Sequence, residues 1–344
     1  MEAKDNGRSA QALRDWVSAL EVGKAIVHDR MTLFPAYTSR PAAPFEYATL
    51  AEAIAAGWVT IGEKPRATVP ELLLLNQGDK LVLLLDGEEV VGGLQNRVLN
   101  VCTLVPPRSR VTLPVSCVEV GRWHRRAEHF AVGEMSSHAL KREMHEQVTF
   151  GLAASGRAMA DQGAVWERIG RLNAQARRPS PTEALHDVYA DREEPLVGYE
   201  RAFGYPDGAV GMIVAIGGNM AGAELFDRPA GARANWRRLV RSFAFDAIES
   251  PPGAPVSADR ATRMLGRVRD ATIAAYASPA LGENLRVTGN GLIGSALVCD
   301  GWVVYASLFR RRNGRGLGER ESDSGVVEGR MASFRQRLRR REDQ

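Results

Sequence analysis

The stretch QNRVLNVCTLVPPRSRVTLPVSCVE, Gln95 to Glu119, decides how this chain is read. Two runs rich in apolar and β-branched residues, Gln95 to Val105 and Arg110 to Glu119, flank Pro106-Pro107-Arg108-Ser109. They read as two long strands joined by a short loop. Strand alternation places Val111, Leu113, Val115 and Cys117 on one apolar face, and the same parity puts Glu119 there. A carboxylate on such a face needs a partner or a cleft. With Val105 opposite Arg110, paired residue numbers sum to roughly 215, which sets Gln95, Asn96 and Arg97 beside Cys117 to Val120. Arg97 is then the natural counter-ion of Glu119. Asp86-Gly87-Glu88-Glu89 turns just before Gln95, and Gly92-Gly93 can bend the intervening strand toward the same polar end. Glu88, Glu89, Gln95, Asn96, Arg97 and Glu119, with Arg122 and Trp123 nearby, are more hydrogen-bonding groups than a hairpin needs. A ligand or catalytic pocket explains them; a structural salt-bridge and amide network is the alternative.

Outward from this centre, Ser9 to His28 has helical apolar spacing, and Leu50 to Ala56 is a second helix capped by Thr49 and stopped by Gly57. WVTIGE, VPELLLLN and KLVLLLD are strand-like, and Asn76 to Asp79 reads as a hairpin loop between the last two. Helical patterning runs from about Glu134 to Ala176 and restarts at Pro181. A strand pair is expected at Gly211 to Phe226, helices at Ala232 to Ile248 and Ala258 to Ala277, and closing strands at Asn284 to Phe309 turning at Asp300-Gly301. The expected class is α+β: a mostly antiparallel sheet core with a long hairpin, packed with several helices. Three segments are expected: an N-terminal amphipathic helix in 1–29, a composite core over 30–309 with possible lobes 30–130 and 131–309, and an Arg-rich, mobile tail at 310–344.

Of 344 residues, 44% are hydrophobic and 25% charged, which are globular values. No window reaches the ~18 consecutive apolar residues of a spanning helix, and MEAKDNGRSAQ lacks the layout of a signal peptide, so a cytoplasmic protein with no membrane partner is expected. Cys102, Cys117 and Cys299 are too few for a disulfide scaffold or a paired-cysteine zinc site, and reduced thiols are expected. The net charge is +4, but residues 310–344 hold 11 Arg against 6 acidic residues, which leaves the body near neutrality. A basic end with little aromatic content argues against nucleic acid as a partner.

Gly289-Asn-Gly-Leu-Ile-Gly294 matches a dinucleotide fingerprint, yet a hairpin sequence follows where the motif requires a helix. Four of six histidines lie between His124 and His145, but His138 and His145 stand two helical turns apart, so solvated or capping histidines are expected. Cys117 is either a nucleophile or a small buried hydrophobe.

The run LLLLDGEEVVGGLQNRVLNVCTLVPPRSRVTLPVSCVEVGRW resembles the central signature of the ARG and Rhodanese-Phosphatase-superfamily-associated Protein domain, where ARG is ADP-ribosylglycohydrolase. The likeness extends to Phe34-Pro35, Trp166, Ser180-Pro-Thr182, Gly211 to Gly218 and Leu225-Phe226-Asp227. Residues matching the signature are Asp86, Glu88, Glu89, Gly93, Gln95, Asn96, Arg97, Asn100, Cys117, Glu119 and Trp123. Tyr305 departs from it, where a histidine is more typical. The resemblance implies an α+β fold and association with enzymes that process ADP-ribose and other NAD-derived nucleotides, often in bacterial conflict systems. On that basis the expected ligand is nucleotide-like and the expected partners are ADP-ribose-processing enzymes. Glu88, Glu119 and Cys117 are the catalytic candidates, either carboxylate serving as general base or binding a divalent metal. Arg97 or Arg122 would hold phosphate, Gln95 and Asn96 would orient ribose hydroxyls, and Asp86, Glu89, Asn100 and Trp123 complete the candidate ligand site. A non-catalytic nucleotide sensor or partner-binding module using the same pocket is the alternative.

Overall fold

Short runs of Val, Leu, Ile and Ala punctuated by Gly turns build one large antiparallel sheet from distant parts of the chain. In the computed structural model, which describes residues 6–64, 70–122, 125–174, 176, 178 and 180–311, this sheet has nine strands. Its order is Glu21–Val22, Met31–Tyr37, Gly211–Ile216, Asn219–Phe226, Trp302–Arg310, Leu292–Cys299, Glu283–Gly289 and Thr272–Ala277, with Ile26–His28 also paired to Met31–Tyr37. The last hairpins turn at Asn290-Gly291 and Asp300-Gly301, all four residues at positive φ. The Gly289–Gly294 motif is therefore a hairpin turn.

Both faces of the sheet are covered. On one, Phe34, Ile213, Leu285 and Leu308 pack with Leu13, Trp16, Met264 and Leu265 of the helices Asn6–Ser18 and Ala258–Gly266. On the other, Leu33, Met212, Phe226 and Leu297 cluster with Leu140, Met144 and Val148 of the helix His138–Ser155 and with Leu239 and Phe243 of the helix Pro229–Ile248. Local signals fix these helices. Ser137 Oγ accepts from Leu140 N, Gly156 ends its helix at φ 68°, and Pro229 opens the next. Thr49 and Glu52 form a reciprocal capping box on Leu50–Ala55. With eight α-helices and eighteen strands among the described residues, the fold is α+β.

The expected long hairpin survives only at its polar end. Cys117, Ser116 and Val115 pair with Arg97, Val98 and Leu99, one residue from the expected register. Beyond Asn100 the two halves part: Thr103–Val105 pairs with Leu81–Leu84, while Arg110 to Pro114 pair with Leu75 to Glu71. The Asn76 to Asp79 turn likewise joins strands of different sheets, with Asn76 Nδ2 donating to Lys80 O at 2.9 Å and to Pro106 O at 2.8 Å. The N-terminal helix stops at Ser18, because Glu21–Val22 and Ile26–His28 join the large sheet. The expected helix over Ala258 to Ala277 ends at Gly266, and Thr272–Ala277 becomes its edge strand. Trp123 and residues 312–344, most of the Arg-rich tail, lie outside the described residues. No helix among the described residues is long and apolar enough to cross a membrane.

Candidate functional site

A row of polar residues crosses the buried helix-covered face of the large sheet. Arg286 pairs with Ser295, Ser295 with Ser307 and Ser307 with Glu224, so four neighbouring strands each place one polar group in register. Above them, Lys141 and His145 project from the helix His138–Ser155, four residues apart and so on one helix face. Asp86 enters from the turn after Leu81–Leu84. Gly87 makes that approach possible: it sits at φ +82°, and a Cβ there would lie 2.9 Å from Lys141 Cδ.

Lys141 ties the centre together. Its ammonium donates to Glu224 Oε1 at 2.9 Å, Glu224 Oε2 at 3.0 Å and Tyr305 Oη at 2.8 Å, and stands 3.2 Å from Asp86 Oδ1. Asp86 Oδ2 accepts from Ser295 Oγ at 2.5 Å and lies 3.0 Å from His145 Nε2. Tyr305 Oη donates to Glu224 Oε2, and Ser307 Oγ to Glu224 Oε1 at 3.2 Å. Asp86, Lys141, Glu224, Tyr305, Ser295, Ser307 and Arg286 are all 2% exposed or less.

Burial raises both carboxyl groups, but the outcomes differ. At Asp86 the Lys141 ammonium and His145 outweigh burial and hold the group well below the usual carboxylate range. At Glu224 burial wins over Lys141 and Tyr305, and the group is raised. Burial lowers Lys141, yet the two carboxylates leave its ammonium above its ordinary range; His145 is lowered by burial despite Asp86. Two carboxyls on one ammonium are thus driven apart in acidity.

The sequence-derived candidates divide among three places. Asp86 alone joins this centre. Glu119, inward as its parity required, is saturated: Arg122 Nε and Nη2 donate to its two oxygens at 2.9 and 2.7 Å, Thr182 Oγ1 at 3.1 Å and Asn96 N at 3.0 Å. Its counter-ion is Arg122 and not Arg97, whose Nη1 donates to Gln95 Oε1 and Asn96 O. Arg122 also donates to Gly92 O, Gly93 O and Asn96 Oδ1, and Gln95 Nε2 to Glu119 O, so Gln95, Asn96, Arg97 and Arg122 bind the hairpin end together. Cys117 is a buried free thiol that burial pushes up, its Sγ 3.1 Å from Glu119 O. Asn100 joins Ser116 Oγ to Ala158 O.

The third place is the face toward the helix Pro229–Ile248. Glu88 pairs with Arg238 and accepts from Leu85 N at 2.8 Å. Glu89, fully buried and raised by that burial, lies 3.8 Å from Nδ1 of half-exposed His186. His138 and His145 depart from the expectation of solvated or capping residues, both being buried, with His138 Nδ1 3.4 Å from Asp246. Among the described residues no group of three or more His, Cys, Asp or Glu side chains is gathered to hold a metal ion.

The sequence model of the ARG and Rhodanese-Phosphatase-superfamily-associated Protein domain matches residues 19–309. The chain belongs to this family. The family name links it to ADP-ribosylglycohydrolase and to the rhodanese-phosphatase superfamily by association. No curated protein and no solved structure matches the chain. Within the matched span, no motif or spacing in the sequence marks Lys141, Glu224, Arg286, Ser295 or Ser307 as a site residue. A faint signal exists: Lys141 and His145 interrupt the apolar stripe Leu140, Met144, Val148, Leu152.

Asp86 and Glu119 share a pH consequence. Each has a folded pKa below its unfolded value, so each contributes stability that is complete above about pH 4 and is lost as pH falls through the folded pKa. Glu89 and Glu224, raised on folding, act with the opposite sign and lose their contribution as pH rises past the carboxyl range. Replacing Glu119 by Gln should therefore flatten the acid limb of stability below about pH 4 relative to wild type, read from urea midpoints at stepped pH. An unchanged limb would mean that Glu119 does not titrate with folding.

Proposed function

We propose that the protein processes ADP-ribose or another NAD-derived nucleotide by hydrolysis at the Asp86–Lys141–Glu224 centre, in a bacterial conflict or NAD-metabolism system. The observation that supports this reading is the opposed acidity of two carboxyl groups held by one ammonium. Asp86, held low beside His145, takes the role of base, and Glu224, raised by burial beside Tyr305, takes that of acid. In the step, water attacks the ribosyl carbon or phosphorus, Asp86 receives the water proton, and the bond to the leaving group breaks as Glu224 protonates it. Lys141 holds both carboxyls and offsets the charge that moves between them. The family's association with ADP-ribosylglycohydrolase supports the substrate class. In this reading the Glu119–Arg122 clamp, Glu88–Arg238 and Cys117 hold their own strands and loops and do not touch the ligand.

A second reading, a non-catalytic nucleotide sensor, is supported by the internal pairing of the centre: Lys141 stands within 3.2 Å of both Asp86 and Glu224, and Ser295 donates to Asp86. Incubation with NAD, ADP-ribose and its phosphorylated forms, read by mass spectrometry beside calorimetric binding, separates the two. Product is expected with at least one nucleotide; binding without product supports the sensor, and neither binding nor product overturns both.

A further inference from the structure

We propose that the Arg286 guanidinium is an anion-binding subsite that takes a phosphate group of the ligand. The inference rests on the nucleotide reading only for which ligand carries that phosphate. Arg286 is 1% exposed, yet its Nε, Nη1 and Nη2 have no hydrogen-bond partner among the described residues. A guanidinium carries five N–H donors in a planar fork and stays charged in proteins, so leaving the whole fork unpaired inside a fold is a standing cost. Folding alone gives no reason to keep it; a ligand that completes the fork does.

The surroundings fit an anion. Burial lowers Arg286, and the carboxylate that opposes this is Asp86, which also faces Lys141, His145 and Ser295. Both carboxyl groups of the centre are drawn to the Lys141 ammonium, which leaves the Arg286 fork without a carboxylate of its own. Asn284, two residues along the same strand and also buried, has an unpartnered Oδ1, while its Nδ2 donates to Cys102 O at 2.6 Å. That carbonyl suits a ribose or phosphate-bound hydroxyl beside the fork. The two residues lie one strand from the edge of the sheet: Arg286 pairs with Ala274 and Asn284 with Tyr276, both partly buried on the outermost strand Thr272–Ala277. Phosphate is the class of anion best matched, because the fork meets two of its oxygens at once.

The test titrates inorganic phosphate, pyrophosphate and ADP-ribose into wild type, Arg286→Met and Arg286→Lys, read by calorimetry and thermal melting. Wild type should be stabilised by pyrophosphate and ADP-ribose, with affinity about 10- to 100-fold weaker in both variants, since the paired charged hydrogen bonds are lost. Without any anion, Arg286→Met should melt at or above wild type, because an unpaired buried charge is removed. A lower melting point for Arg286→Met together with equal anion binding by all three proteins would overturn the subsite and make Arg286 a structural charge. If anions bind through Arg286 but ADP-ribose does not, the subsite stands and the nucleotide reading falls. If ADP-ribose binds or turns over with unchanged KM in both variants, the subsite falls and the nucleotide reading stands.

Discussion

Lys141→Met is expected to cost on the order of 3–5 kcal/mol of stability and to abolish nucleotide turnover, the cost being that of breaking a buried ion pair by removing one partner. Lys141 is the cation shared by Asp86 and Glu224, both 1% exposed. Without it, Asp86 keeps only Ser295 and the neutral side of His145, and Glu224 keeps Tyr305 and Ser307. Both carboxyls then rise in pKa, so the base of the proposed step is protonated where it must be ionised. Denaturant midpoints give the stability change. Lys141→Met combined with Glu224→Gln should recover part of the loss, since one stranded carboxyl is removed; a double variant less stable than the single would place the energetic weight elsewhere.

Glu119→Gln should also cost on the order of 3–5 kcal/mol, but without loss of binding by the protein that remains folded. The Arg122 guanidinium is bidentate on this carboxylate and is itself 4% exposed. An amide keeps the shape and one acceptor, yet it offers Arg122 an N–H where it had an anion. Glu119 also anchors Asn96 N and Thr182, so the loss reaches the turn at Pro181 as well as the hairpin end. Urea melts together with ADP-ribose titration check both halves. A stable variant would show that Gly92 O, Gly93 O and Asn96 suffice for Arg122; a folded variant that no longer binds would move the site to the hairpin end.

These two residues mark what the sequence reveals and what it hides. Glu119 is legible as an inward carboxylate because alternation over Val111 to Cys117 is local, whereas its register, one residue off, and its partner Arg122 depend on how the chain beyond the strand folds back. The division of the hairpin at Asn100 is not legible, since both halves remain strand-like and only their partners change. Lys141 and Glu224 lie 83 positions apart in sequence, and Asp86 lies 209 from Ser295, so no spacing rule joins them. Parity fails there too: Asn219–Phe226 and Leu292–Cys299 are covered on both faces, so a charged residue does not reveal which way it points. The strand Thr272–Ala277 passes for helix because its alanines and Tyr276 suit either state, and pairing with Glu283–Gly289 decides it.

If Asp86 is the ionised base of a hydrolytic centre and not merely the anion of a buried network, replacing it must stop turnover and spare binding. Product formation from NAD and ADP-ribose is to be compared for wild type and Asp86→Asn, at a temperature where melting curves show both fully folded. Wild type should release product and Asp86→Asn none above the uncatalysed rate, while the variant still binds the nucleotide. Equal product from both proteins would leave Asp86 as the anion of a buried network alone.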